Sequence, residues 1–406
     1  MSNIFKLALS LLLLFGLQQN VAAQNNFHNL RGSEEDSVMT TNFPGAWKLP
    51  GTDMYMKFGG YFRLDAIYDL TGAGSRNQLL MGQIPVHGTP AANAGPFFNM
   101  HLRETRFNFD IRRKTSLGKD LKFFMEFDFF DESLHAGVPR LRHAFVKYGN
   151  LLIGQTWTNL SDLRVFPFIM DFSAGDALFG GRSMQVRYEQ NFYKTWQYGV
   201  ALEMPSLGGI YNPYELAGET MPVMPLLSAR ITNNKKDGSM MMFGGQMQQV
   251  RWYGLKEGPN ATAIGYGLVF NGRQMITDRL FGTWHAAYNK GLTNQILIFG
   301  GTDQGAVLNP DGTLDTEEAI TLALGGGYKI TQKVSANVAV AYLKRGELAE
   351  REEPTLNTGL MGHANLIWNI DKQTTTGVEY GWGNVANLDG AKGHASRWQV
   401  MIKYAF

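Results

Sequence analysis

From Lys57 to the last residue, the chain alternates apolar and polar side chains with a period of two, run after run. Phe58, Gly60, Phe62, Leu64, Ala66 and Tyr68 share one face, while Lys57, Tyr61, Arg63, Asp65 and Asp69 share the other. Phe107, Phe109 and Ile111 oppose Glu104, Arg106, Asn108, Asp110 and Arg112; Phe123, Met125, Phe127 and Phe129 oppose Lys122, Glu126 and Asp128. Side chains of an extended strand point alternately to opposite faces, so each run is a strand with one wet and one greasy side. The greasy side must meet either a second sheet or lipid.

The pattern continues through Pro139–Tyr148, Asn150–Trp157, Arg182–Gln190, Thr195–Glu203, Leu226–Thr232, Ser239–Val250, Ala263–Ile276 and Arg279–Tyr288. Ala319–Lys329, Val334–Arg345, Leu356–Asn369, Thr375–Gly383 and Ala395–Phe406 complete about 16 strands, each near the roughly 9–11 residues that a tilted strand needs to span a bilayer. Short connections (Lys114–Lys119, Gly149, Tyr193–Lys194, Asn233–Asp237, Thr277–Asp278, Thr331–Lys333, Ile370–Gln373) alternate with long ones, including 71–99, 158–181, 204–224, 290–317 and 384–394. Turns on one side and loops on the other are the plan of a transmembrane antiparallel β-barrel. A soluble sandwich would bury its aromatic faces between two sheets and would not sort its loops this way.

Composition agrees. Aromatics reach 12% and Gly numbers 47, yet only 18% of residues are charged, below the usual quarter. Cysteine is absent, which excludes a disulfide scaffold, a thiol nucleophile and a thiolate metal site. Net charge is +2, and +1 once a leader carrying one Lys and no acid is removed, so no global charge argues for nucleic acid. That leader is residues 1–23: Lys6, the apolar run Leu7–Leu17, and Val21-Ala22-Ala23 before Gln24 read as a signal peptide, too short to span as a helix. Residues 24–54 then read as a loosely ordered periplasmic segment, and 55–406 as the barrel. The last strand sets Trp398, Val400, Ile402, Tyr404 and the terminal Phe406 on one face and Arg397, Gln399 and Lys403 on the other. An aromatic residue closing an alternating strand resembles the C-terminal tail of outer-membrane barrels, so the location expected is the outer membrane of a Gram-negative bacterium.

Several stretches carry a narrower resemblance. They are Leu49-Pro50-Gly51-Thr52-Asp53 leading into Phe58-Gly59-Gly60-Tyr61, Asp65-Ala66-Ile67-Tyr68-Asp69, Glu126-Phe127-Asp128-Phe129-Phe130, Arg140-Leu141-Arg142-His143-Ala144-Phe145, and Gly149-Asn150-Leu151-Leu152-Ile153-Gly154-Gln155-Thr156-Trp157. Together they resemble the DcaP-like porins, densely over about residues 49–190 and by barrel pattern alone beyond. The resemblance implies a 16-stranded homotrimer with a loop folded into each bore, passing small anions such as dicarboxylates. Many members begin with a heptad-bearing coiled coil; residues 24–48 show no heptad.

Alternation places Arg63, Arg106, Arg112, Arg140, Arg142 and Arg187 on the polar faces of the first six strands, among Lys57, Lys122, Asp65, Glu104, Asp110, Glu126 and Asp128. Guanidinium groups grip carboxylates in a planar fork and can favour anions through a pore. The same residues can instead pair across strands and stiffen the wall. The loop 158–181 follows the fifth strand, where general porins fold a loop inward; it carries Asp162, Arg164, Asp171 and Asp176 with Phe166, Phe168 and Phe172 between, and such apolar content favours inward folding. His143 alternates onto the outer face, while His285 and His363 reach the lumen. Gly325-Gly326-Gly327 lies inside a strand and relieves crowding. Asp303, Asp311, Asp315, Glu317 and Glu318 read as solvated turns, with a divalent cation as the alternative. Asn309-Pro310-Asp311-Gly312 is turn chemistry.

No catalytic motif stands out: His-Glu-x-x-His, Gly-x-Ser-x-Gly and the phosphate-cradling Gly-x-x-x-x-Gly-Lys are all missing. The expected function is passive diffusion of small hydrophilic solutes with a preference for anions, with no cofactor, metal or nucleic acid. The alternatives are a plugged binding or adhesion barrel and a barrel-embedded hydrolase.

Overall fold

The computed structural model describes residues 43–406 apart from 131–136, 167, 174–176, 207–208, 300–304, 347 and 349–354. The expected signal peptide therefore lies outside the described residues. Sixteen antiparallel strands form a closed ring. They are β1 (Tyr55–Asp69), β2 (Arg106–Lys114), β3 (Asp120–Asp128), β4 (Arg140–Tyr148), β5 (Leu151–Trp157), β6 (Arg182–Tyr193), β7 (Trp196–Glu203) and β8 (Leu226–Asn234). The second half is β9 (Met240–Gly254), β10 (Ala261–Met275), β11 (Leu280–Lys290), β12 (Glu318–Lys329), β13 (Val334–Arg345), β14 (Leu356–Asn369), β15 (Thr374–Asn387) and β16 (Lys392–Ala405). Each strand pairs with the next, and β16 returns to β1, with Tyr61 opposite Ala405 and Asp69 opposite Arg397. Closure leaves no unpaired edge, which is the condition for β-structure in lipid.

Alternation sorts the two faces as the sequence requires. On β1, Tyr61, Arg63, Asp65, Ile67 and Asp69 are buried toward the lumen, while Phe62 and Tyr68 stay exposed outside. Short connections gather at the end carrying Phe406, the periplasmic end by the general rule for such barrels. The opposite, extracellular end carries most of the long ones.

Four expectations change. The long loop 384–394 is mostly strand: β15 and β16 pair out to Ala386 opposite Lys392, and a tight turn with Gly390 at φ +84° joins them. Turn residues there mimic a loop. Strand β1 has a split partner, Phe97–His101 against Asp65–Asp69 and β2 against Tyr55–Tyr61, so the 71–99 loop ends in a strand. His143 faces inward. The β3–β4 register slips between Glu126 and Phe127, setting Glu126 opposite His143 but Phe127 opposite Leu141. That bulge brings Arg142 and His143 to the same side, where the His143 ring lies 3.0 Å from Thr156 Oγ1. Finally, residues 43–54 are not loose: Trp47–Lys48 pair opposite Met56 and Tyr55.

The lumen is crowded. Leu79, Met81 and Ile84 from the first long loop, Leu160, Val165, Phe166, Leu178 and Phe179 from 158–181, and Leu292 and Ile296 from the β11–β12 loop join one apolar cluster with inward residues of the wall. Wall glycines make room for the loops. A Cβ on Gly199, Gly244, Gly265, Gly267, Gly359, Gly377, Gly381 or Gly383 would come within 2.5–3.3 Å of Asn159, Leu160, Leu292, Phe179, Met81, Met170, Leu79 or Ile84 respectively. Two of the three consecutive glycines in β12 are similarly close-packed, Gly326 against the Phe281 carbonyl and Gly327 against the Phe281 ring.

Candidate functional site

The polar wall runs along β1–β8, and cross-strand register decides its pairs. Arg140 on β4 lies opposite Asp128 on β3 and meets it with two parallel hydrogen bonds of 2.9 and 2.8 Å. Arg142 reaches both Glu126 (2.9 Å) and Asp128 (2.8 Å), and Arg106 adds a longer contact to Glu126 at 3.6 Å. Arg112 forks onto Asp110, which Lys122 also approaches at 3.4 Å. Glu189 is shared by Arg187 (3.2 Å), Lys147 (3.9 Å) and Arg230. Arg63 is sealed: it bridges Asp65 (2.7 Å) and Glu104 (2.8 Å) and donates to the Met170 carbonyl at 2.6 Å.

All six arginines expected on polar faces are therefore there, and each is paired with an acid. The pairing is unequal. Arg106, Arg140 and Arg142 share two carboxylates, Arg112 and Lys122 share one, and Arg187, Arg230 and Lys147 share one. Arg140, Lys147 and Lys122 keep 28%, 24% and 20% of their side-chain surface, whereas Asp128, Glu126 and Glu189 keep 0%, 4% and 4%. Asp110 departs from this, at 12% against 11% for Arg112. Arg63, Arg142, Arg187 and Arg230 are as covered as the acids, so the basic surface this wall offers is that of Arg140, Lys147 and Lys122.

Segment 158–181 leaves β5, and its described residues 168–171 lie against the far side of the lumen. Glu379 on β15 accepts hydrogen bonds from the backbone N–H groups of Met170 (2.7 Å) and Asp171 (2.9 Å), and Asn365 on β14 donates to the Phe168 carbonyl at 2.8 Å. Asp171 accepts from the Leu79 N–H (3.1 Å) and from Ser173, tying two loops together. Asp162 receives the backbone N–H and Nε of Arg164, whose guanidinium continues to Asn234 at 2.8 Å. Phe172 stacks on Phe130 with centroids 3.8 Å apart, and Arg140 lies over Phe172 at 5.2 Å. Asp176 lies outside the described residues.

Sequence reading missed Glu379, Asn365 and Arg230, although strand parity already put all three on inward faces. His285 and His363 do face inward, His363 at 3.1 Å from Glu379. Glu317, expected in a solvated turn, is instead buried against Arg345 at 3.0 Å. Asp303 lies outside the described residues, while Asp311 caps the 309–313 turn through Thr313 as expected.

The structure is similar to the outer membrane channel DcaP of Acinetobacter baumannii, with a TM-score of 0.77 and 21% identity over 89% of this chain and 100% of that one. It is also similar to an anion-selective porin from Comamonas acidovorans (TM-score 0.60, 10% identity, 87% and 100% covered). A third likeness is to OmpF of Salmonella typhi (0.56, 10%, 87% and 98%). No curated relative matches the chain. The closed barrel with its apolar exterior, together with an outer-membrane family match, places the protein in the outer membrane of a Gram-negative bacterium. The model of the DcaP outer membrane protein family matches residues 4–406, and the chain belongs to that family.

Proposed function

We propose that this barrel is a passive channel that prefers small anions, dicarboxylates among them, over cations, and that it works as a homotrimer. One observation carries the preference: Arg140, Lys147 and Lys122 of the β3–β4 wall keep solvent exposure while Asp128, Glu126 and Glu189 beside them are covered. Rings of such bases favour anions in a pore. Segment 158–181 sets the narrowest passage, since it leaves one side of the ring and is hydrogen-bonded to the other. The trimer rests on the DcaP-like resemblance and on the exposed aromatic patch outside β1 and β2, where Phe58 packs against Phe109 (5.3 Å) and Phe406 (5.7 Å).

The apolar cluster within the lumen supports a second reading, a plugged barrel. Single-channel recording separates the two. An open trimer conducts in three equal steps; a plugged one stays silent. Arg140→Ala with Arg142→Ala should move the reversal potential in a salt gradient toward cation preference. An unchanged potential would sink the basic-wall account.

A further inference from the structure

Strand pairing at the periplasmic rim has a consequence for the residues just before the barrel. Trp47 and Lys48 run antiparallel to β1 opposite Met56 and Tyr55, so the chain upstream of Trp47 heads back along β1 toward Gly60. That wall position is already filled. Phe406 exchanges both backbone hydrogen bonds with Gly60, Gly60 N–H to Phe406 at 3.3 Å and Phe406 N–H to Gly60 at 3.1 Å. Residues 43–46 must therefore leave the wall. They turn tightly, with Gly45 at φ +78° and the Ala46 N–H donating to the Phe43 carbonyl at 3.1 Å.

The turn goes inward. The Arg112 guanidinium carbon lies 4.1 Å from the centre of the half-buried Phe43 ring. Arg112 lies near the end of β2, with Arg113 and Lys114 after it before the 115–119 turn, and shares the lumenal face of Arg106 and Asp110. Gly45 passes Lys57, on the lumenal face of β1, with room for a Cβ 3.8 Å from its Cε. A guanidinium over a ring face is held by the ring quadrupole, and more strongly where water is partly excluded.

We infer that Phe43 is a specificity-determining residue of the pore exit: its ring covers Arg112 and narrows the periplasmic mouth where the basic wall ends. This rests on the channel reading. A leaving anion meets the Arg112–Asp110–Lys122 cluster at a gap that the ring makes smaller and less polar.

The chain has no cysteine, so Phe43→Cys gives a single labelling site. The full-length protein, checked for folding by heat-modifiability, is recorded before and after 2-sulfonatoethyl methanethiosulfonate, with labelling followed by mass. An added sulfonate beside Arg112 should cut conductance at least about twofold and shift the reversal potential toward cations. Ser116→Cys, in the exposed 115–119 turn, should label without effect, and Phe43→Ala should raise conductance. Confirmed labelling at position 43 with unchanged current and potential overturns the inference alone. A silent wild-type protein overturns the channel reading, and this inference with it.

Discussion

Glu379→Ala asks how firmly segment 158–181 is held. The buried carboxylate accepts from Met170 N–H at 2.7 Å, Asp171 N–H at 2.9 Å and Asn365 Nδ2 at 2.8 Å. Truncation leaves two backbone donors of the loop without their acceptor in a site that excludes water. Hydrogen bonds to a charged group contribute about 1.5–3 kcal/mol each, so the pair loses on the order of 3–6 kcal/mol. Arg63 and Asn365 still hold the Met170 and Phe168 carbonyls, which favours the lower end. At about 1.4 kcal/mol per decade, roughly 3 kcal/mol is a hundredfold rise in local opening. Hydrogen exchange in detergent reads this directly: the Met170 and Asp171 amides should exchange about a hundredfold faster, with strand amides around Thr376 unchanged. Glu379→Gln keeps one acceptor oxygen and should give roughly tenfold. Exchange at Met170 and Asp171 within about threefold of wild type in the Ala variant would refute the account of Glu379 as the anchor.

Gly267→Ala places a Cβ 2.5 Å from the Phe179 ring, so the ring must move; overpacking of this kind costs about 1–3 kcal/mol, and the channel should show altered conductance with the barrel's heat-modifiability retained. Acid should loosen the loops only late. Burial alone pushes the Asp171 carboxyl up, but the Arg397 guanidinium, His363 and hydrogen bonds from Ser173 and Leu79 outweigh it and hold it below the ordinary value. At Asp162, burial is likewise outweighed, chiefly by Arg164. A depressed folded value gives stability that is present above the unfolded value, about 4, and is lost as pH falls through the folded one. Open-channel noise should stay flat from neutrality to about pH 4 and rise below it; a midpoint near pH 6 would refute the assignment.

The staves were legible because lipid on one side and polar packing on the other force a period of two, and the lumenal place of Arg63, Arg112 and Arg187 followed from parity alone. The bulge at Arg142–His143 left a trace that could have been read. Polar residues fall on even positions at Arg140 and Arg142 and on an odd one at Lys147, a parity slip that only an extra residue explains. What the arginines do was not legible, since a guanidinium on a polar face looks the same whether it faces solute or a carboxylate across the strand. The anchor of the loop was hidden for another reason. Glu379 and Met170 stand 209 residues apart and meet only because the ring closes. Apolar Leu79, Met81 and Ile84 in the first long loop were visible, and they mark a second segment folded inward.

The glycines of the lumenal face bear on how such a bore can be redesigned. Each of the eight holds a place for one particular loop side chain, so part of the loops' fit is written in the wall as missing atoms. A loop transplanted from another barrel would meet hollows of the wrong spacing on β7, β9, β10, β14 and β15, and bulk where its own side chains need space. Pore shape here is transferable only as loop and staves together.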